Sequence, residues 1–320
     1  MSGENLTPIT RKEMFLAKAA GQNVTTPEPI TREEMFLSKL QGGSGGESGD
    51  TDYLPWVEGT VTEFSSDELE SMRTYAFAGQ PNLVTVDIPN VKKIEDQAFR
   101  NCLKLKTVNF SNELTSLGKS AFYECENLIL TELPSTLTSI GDYCFSHCYS
   151  ISPPELPNGV TSLGYSAFST CKNIKWTKLP SGITSLGEYC FYRCDNLALT
   201  ELPSGLTRIN KMCFQNCQNL ALTELPSGVT RVDDEAFGGC TNLKSMNFNN
   251  TSLSIGNWAF RNCTGLASVT FYKKPHYIYS NIFAECNNLT TINVSWAEGE
   301  VAGAPWGATK ATINYNYTGE

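Results

Sequence analysis

Cys102, Cys125, Cys148, Cys171, Cys194, Cys217, Cys240, Cys263 and Cys286 recur every 23 residues. Phe99, Phe122, Phe145, Phe168, Phe191, Phe214, Phe237, Phe260 and Phe283 stand three residues before each. A unit this short cannot bury its own apolar face, so a chain built from it must stack each copy on the next. Two copies are almost identical, FYRCDNLALTELPSG from Phe191 and FQNCQNLALTELPSG from Phe214. A worn tenth copy precedes them at Ala76-Phe77, with Gly79 in place of the cysteine and Leu83 one residue early. An end copy contacts a neighbour on one side only and is expected to be atypical.

Each copy reads A/C-F-x-x-C-x-x-L-x-x-[VT]-x-[LF]-P, then a turn such as Pro203-Ser204-Gly205, then L-T-x-[LI]. Leu105, Val108 and Phe110 reproduce the L-x-x-L-x-L strand signature of leucine-rich repeats. Proline and glycine close the strand, because proline lacks a ladder donor and glycine permits the turn. The second half of a copy, for instance Ile209 to Cys217, predicts a short helical turn behind the sheet. The phrase I-G-x-x-A-F-x-x-C-x-x-L, matched closely at Gly141–Cys148 and Gly187–Cys194, resembles the BspA-like, Treponema-type leucine-rich repeat family. That resemblance covers 77–296. It implies an α/β-type leucine-rich-repeat solenoid of about ten coils, with a parallel sheet on the concave face and short helical turns on the convex face. It also implies secretion or display on a cell surface.

A cysteine once per coil makes a column of small buried side chains, since free cysteine behaves as a small hydrophobe. Neighbouring coils about 4.8 Å apart would allow a disulfide, but nine successive thiols cannot all pair. Cys144, Cys190 and Cys213 replace the alanine before Phe and create C-x-x-x-C spacings. A metal site would want further ligands, and the chain has 2 histidines, His147 and His276. Packing is therefore the preferred role, and neither a metal nor another cofactor is expected.

Lys and Arg number 24 against 33 Asp and Glu, a net charge of −9. A basic footprint for nucleic acid is missing, and no apolar run reaches the length of a membrane span. The opening Met1-Ser2-Gly3-Glu4-Asn5 has neither the basic nor the apolar region of a secretory leader.

A second repeat lies near the start: PITRKEMFLAKAAGQ from Pro8 returns as PITREEMFLSKLQGG from Pro29. Thr10 and Thr31 are N-caps, with Glu13 and Glu34 completing capping boxes and Ile9–Met14 and Ile30–Met35 placed as hydrophobic staples. Gly21 and Gly42 supply the stops. Two helices of about ten residues are predicted, each marginal alone in water. Met14, Phe15, Leu16, Met35, Phe36, Leu37 and Leu40 cover more than one helix face, so these helices want to be surrounded. The tether GGSGGESGD at 42–50 argues for docking on another protein, with twin copies supplying avidity; a self-contained hairpin or inert tail is the alternative. This opening is similar to that of structural proteins from phages and prophages of gut Bacillota. The likeness implies attachment to a virion assembled in the host cytoplasm, through a capsid, neck, tail or baseplate protein, with the repeats free to bind a host-surface protein or glycan.

The domain organisation expected is thus a twin-helix anchor at 1–41, a linker at 42–50, an N-terminal cap at 51–76, repeats at 77–296 and a C-terminal cap at 297–320. The first cap reads as a strand from Trp56 to Phe64 and a helix from Ser65 through Met72. The last reads as a turn at Ala304–Thr309 and a strand at Ala311–Tyr315.

If the first, fourth and sixth positions of each strand point inward, two columns lie on the sheet face. One is apolar: Leu130, Pro153, Trp176, Leu199 and Leu222. The other is largely acidic: Glu132, Glu155, Lys178, Glu201 and Glu224. Together they could form a binding groove anchored by Trp176. A one-residue change of register would instead bury the leucines and expose the threonines beside them. Catalysis finds little support: Gly42–Gly46 satisfies G-x-S-x-G but lies in the linker rather than on a strand-to-helix turn, and no HExxH or P-loop occurs. The sequence therefore points to a non-enzymatic repeat protein, either a virion component, a bacterial surface adhesin or a purely architectural subunit.

Overall fold

The computed structural model describes residues 61–319; the twin segments, the tether and the start of the first cap lie outside these residues. The described chain is a parallel β-solenoid of stacked coils, in which each coil contributes to two strand columns. The first column holds β1 (Glu63–Ser65), β3 (Thr85–Ile88), β5 (Thr107–Phe110), β12 (Ser245–Phe248), β14 (Ser268–Phe271), β16 (Thr291–Val294) and β17 (Thr312–Asn314). The second holds the two-residue strands β2 (Ser71–Met72), β4 (Lys93–Ile94), β6 (Ser116–Leu117), β7 (Ser139–Ile140), β8 (Ser162–Leu163), β9 (Ser185–Leu186), β10 (Arg208–Ile209), β11 (Arg231–Val232), β13 (Ser254–Ile255) and β15 (Tyr277–Ile278). All pairings are parallel, and most keep the register of the 23-residue repeat, as in Ser116↔Ser139 and Ser268↔Thr291.

The interior is a set of columns. Phenylalanine rings from Phe77 to Phe283 follow one another with centroids 5.1–5.9 Å apart, mostly stacked. Beside them runs the cysteine column, fully buried and free of disulfides. Each of its thiols donates to the carbonyl oxygen of a phenylalanine in the coil before, as Cys125 does to Phe99 and Cys171 to Phe145, both at 3.0 Å. Cys144, Cys190 and Cys213 fill the alanine position and are equally buried.

The expected helical turns behind the sheet are not there: no helix occurs among the described residues. The reason is width. A helix with its side chains is about 10 Å across, roughly twice the spacing of these coils. The segment is built instead from successive tight turns, such as Arg100 N–H to Gln97 C=O (3.1 Å) and Cys102 N–H to Phe99 C=O (3.3 Å). Between them, alternate amides bond outward: Gln97, Phe99 and Asn101 donate to the carbonyls of Lys119, Ala121 and Tyr123 in the next coil at 2.7–2.8 Å. This third ladder requires two left-handed residues per coil, and most are not glycine: Tyr143 (φ 56°) and His147 (φ 63°) are one such pair. Each costs about 1–2 kcal/mol in isolation, a cost the ladder offsets.

The first cap also differs from expectation. Its helix over Ser65–Met72 is replaced by the end of β1, a bend and β2, because the worn copy already makes both ladders: Phe64 pairs with Val86, and Met72 with Ile94. The second cap follows the sequence reading. Tight turns bring Trp306 into the core against Phe271 and Trp296, with its indole N–H on the carbonyl of Ala302, and β17 closes the sheet.

Both columns are interrupted, for identifiable reasons. In the first, no strand forms between β5 and β12. Ladder bonds here run from the residue after the strand to the coil before, as from Tyr272 N–H to Phe248 C=O (2.9 Å). The equivalent residues in the intervening coils are Pro134, Pro157, Pro180, Pro203 and Pro226, which have no N–H to give. The second column breaks between β9 and β10. A glycine follows five of these ten short strands, and the coils touch closely there: a Cβ on Gly187 would lie 2.5 Å from the backbone of Gly164, although Glu95 and Asp233 keep the ladder bond at the same place, to Met72 and Ile209 at 2.8 and 2.9 Å. Asn210 occupies that place after β10, and its side-chain amide spans the gap to the Leu186 carbonyl at 2.6 Å.

Candidate functional site

The coils without a first-column strand carry the residues singled out from the sequence, and the structure separates them. Leu130, Trp176, Leu199 and Leu222 are buried at 3% exposure or less, and Pro153 is buried with them. An exposed apolar stripe anchored by Trp176 is therefore overturned. Trp176 is core: its ring meets Phe168 and Phe191 edge-on at 5.2 and 6.1 Å, and its indole N–H donates to the Pro153 carbonyl at 2.8 Å. The register change is the arrangement adopted. In the β5 coil the inward residues are Leu105 and Val108, with Phe110 half-buried; in the Trp176 coil they are Ile174, Trp176 and Leu179. Two inward side chains two residues apart come after the irregular step in the first case and before it in the second, and Thr131, Thr177, Thr200 and Thr223 are left exposed.

The charged column lies at the surface. Glu132, Glu155, Lys178, Glu201 and Glu224 are all exposed, one per coil, beside those threonines. At the start of this row, where β5 loses its neighbour, a cleft of about 420 Å³ opens between Thr107–Phe110 and Ile129–Ser135 and includes Glu132. Its mouth carries Ile129, a large apolar side chain with 54% exposure.

A second charged feature, not anticipated, follows the Asn210 break. Asp233, nearly buried, accepts from Arg208 Nε and Arg231 Nε, each at 2.6 Å. Beside Asp233 the Arg231 guanidinium is held more firmly protonated than usual. This clamp joins two adjacent strands of the second column, whose outward place is serine in most other coils.

Tyrosines also gather where no column predicted them. Tyr123, Tyr143, Tyr165 and Tyr189 succeed one another along the turn corner with centroids 6.3, 5.0 and 5.4 Å apart, and Tyr192 extends the row at 5.9 Å. They fall at three places in the repeat unit, Tyr143 and Tyr189 at one, Tyr123 and Tyr192 at a second and Tyr165 at a third, so a reading of one position at a time misses the row. Burial pushes the phenols of Tyr123 and Tyr165 above their ordinary value, aided by Glu124 at the first and by Tyr143 at the second.

The described residues contain no group of three or more His, Cys, Asp or Glu placed to hold a metal ion. Burial pushes every thiol from Cys144 to Cys240 well above its ordinary value, so these thiols are neutral S–H donors rather than nucleophiles; at the end of the column the contact with Cys263 lowers Cys286 instead.

Repeated 23-residue coils with Phe and Cys ladders match the BspA type leucine rich repeat region over residues 70–198, 140–251 and 184–298. The chain belongs to this family. Solved structures share the fold. A leucine-rich repeat protein from Bacteroides ovatus superposes with a TM-score of 0.54 at 22% identity, covering 72% of this chain and 64% of that one. A leucine rich cell surface protein from Faecalibacterium prausnitzii gives 0.51 at 22% identity, covering 81% and 89%. The pneumococcal vaccine antigen PcpA gives 0.50 at 20% identity, covering 75% and 69%. This BspA-type chain thus spans less than two thirds of the Bacteroides ovatus protein. No curated protein matches it in sequence.

Proposed function

We propose that this chain is a bacterial cell-surface binding protein, without enzymatic activity, whose repeat coils hold exposed side chains against a host or neighbouring-cell partner. One observation carries the reading: the interior repeats while exposed places beside the repeated rows vary. Phe, Cys and the inward leucines return in coil after coil, whereas the exposed place four residues after the cysteine holds Ile129, Ser152 and Lys175 in successive coils. A rigid core under a changing surface is what recognition requires, since preorganised side chains lose little entropy on binding. Membership of the BspA-type family and the likeness to a cell surface protein support display outside the cell. On this reading the charged row from Glu132 to Glu224 forms part of the presented surface.

A second reading rests on the twin segments PITRKEMFLAKAAGQ and PITREEMFLSKLQGG. Their likeness to phage structural proteins supports docking of residues 1–41 on a virion. One fractionation separates the two. Mass spectrometry of protease-shaved intact cells and of density-gradient particles from the same culture should find peptides of this chain in the shaved surface fraction. Recovery with capsid or tail proteins at fixed stoichiometry would transfer the repeats to a virion and sink the surface reading.

A further inference from the structure

The turn corner near the first complete coils holds two cations that form no ion pair among the described residues. Arg100 and Lys119 line a shallow cleft of about 370 Å³ together with Gln97, Ser120, Tyr123 and Tyr143. No carboxylate lines it, and neither cation forms an ion pair among the described residues, although the chain carries a net charge of −9. The guanidinium is preorganised. Arg100 Nη1 donates to Gln97 Oε1 at 2.8 Å, Gln97 Nε2 donates to the Tyr75 hydroxyl at 2.7 Å, and the Arg100 guanidinium carbon sits 5.3 Å from the Tyr123 ring centre. Two acids lie beside it, Glu124 on the Tyr123 phenol and Asp96 with Oδ1 accepting the Lys119 backbone N–H at 2.8 Å, and neither pairs with Arg100 or Lys119.

From Tyr143 the aromatic row leaves the cleft and runs coil by coil through Tyr165 to Tyr189. We propose that this cleft and row bind an acidic glycan, with a carboxylate or sulfate between Arg100 and Lys119 and successive sugar rings lying against Tyr143, Tyr165 and Tyr189. The inference rests on the recognition role proposed above and gives it a ligand class. A fixed guanidinium matches a planar or tetrahedral anion through paired N–H donors. Tyrosine offers a flat apolar face with a polar rim, the complement of a sugar ring.

An acidic peptide fits less well. Extended peptides bind by adding backbone hydrogen bonds at an open edge. Here the outward amides of Gln97, Phe99, Asn101, Ser120, Phe122 and Glu124 are all consumed by the next coil. A row of rings spaced by the coil repeat suits a polymer of repeated rings instead.

The test is an array of sialylated, uronate-containing and sulfated oligosaccharides, with neutral counterparts and polyglutamate, probed with the full chain and followed by titration calorimetry. At least one acidic class should bind, and its neutral counterpart should not. Arg100→Gln with Lys119→Gln should weaken that binding about ten- to a hundredfold, the scale of losing charge-assisted hydrogen bonds. Tyr143→Asn, in a residue type that tolerates the left-handed backbone, should weaken it as well, while Tyr143→Phe and the distant Lys244→Gln leave it unchanged. Circular dichroism of each variant checks that the coils remain folded. Binding of polyglutamate alone, equal binding by the double variant, or no binding across the array would each overturn the proposal. Because the assay uses purified protein, its failure is separate from a failure of surface display, which the cell fractionation reads.

Discussion

Cys148 Sγ lies 3.0 Å from the carbonyl oxygen of Phe122, in the preceding coil, and donates its S–H to it. The same oxygen accepts the backbone N–H of Cys125 at 3.1 Å, so the thiol is a second donor to an already bonded, buried carbonyl. Equivalent contacts recur along the column, from Cys102 on Phe77 to Cys286 on Phe260. They explain a cysteine where alanine would satisfy packing alone: the side chain fills space, needs little desolvation and still reaches a carbonyl.

Replacing Cys148 by alanine removes that donor and leaves a small void. Because Phe122 keeps its backbone partner, the loss should be about 1–2 kcal/mol, not the larger penalty of an orphaned group. Denaturant unfolding of the full chain measures it, with Cys148→Ser expected to fall between alanine and the parent. An alanine variant as stable as the parent would show that the S–H contact contributes nothing.

The thiol column sets an alkaline limit. Burial raises the thiols from Cys144 to Cys240 above the ordinary value of 9.0. Above that pH the unfolded chain releases thiol protons and the folded chain keeps them, so the folded state binds more protons and stability falls as pH rises. Each such thiol costs about 1.4 kcal/mol per pH unit in this range. The urea midpoint should be steady from pH 7 to 8 and drop steeply from pH 9 to 10. An unchanged midpoint at pH 10 would contradict buried, neutral thiols.

Much of the coil was legible because its period and its apolar spacing are direct consequences of stacking. Phe99, Cys102 and Leu105 announce their burial by recurrence alone. Two features were hidden for physical reasons. Helical turns were expected over segments such as Ile209–Cys217 because the left-handed corners that replace them are mostly held by residues such as Tyr143, His147 and Glu235, and glycine stands at few of them, as at Gly79 and Gly239. The burial of Trp176 was ambiguous because a strand offers two faces one residue apart. The prolines from Pro134 to Pro226 decide it, since they deny those coils the regular ladder that would have kept the threonines inward. The charged row was readable because a glutamate or lysine has no partner inside such a core.

Trp176 separates core from contact surface in a single variant. Its truncation to alanine should cost about 3–5 kcal/mol, the range for a buried large aromatic, with the Pro153 carbonyl losing its indole donor as well. Trp176→Phe should retain most of the packing and lose the hydrogen bond. Thermal unfolding followed by circular dichroism gives both values. A Trp176→Ala variant with an unchanged midpoint would return this residue to the surface.

Asn210 tests how the second strand column survives its own interruption. Asn210→Ala removes the amide that reaches the Leu186 carbonyl, so stability should fall by about 1–2 kcal/mol, the cost of one unsatisfied buried acceptor. Asn210→Gly removes the amide and the Cβ together, restoring the residue found at this place in the preceding coils at Gly164 and Gly187. The backbone N–H of residue 210 can then approach Leu186 as Gly187 N–H approaches Leu163, at 2.9 Å. Glycine should therefore be the milder change despite its greater freedom in the unfolded chain, where it ordinarily costs about 0.5–1 kcal/mol relative to alanine. Denaturant midpoints of the two variants decide the order, and amide exchange at residue 210 should slow in the glycine variant. If alanine proves the more stable, the asparagine is not a bridge and the break between β9 and β10 has another origin.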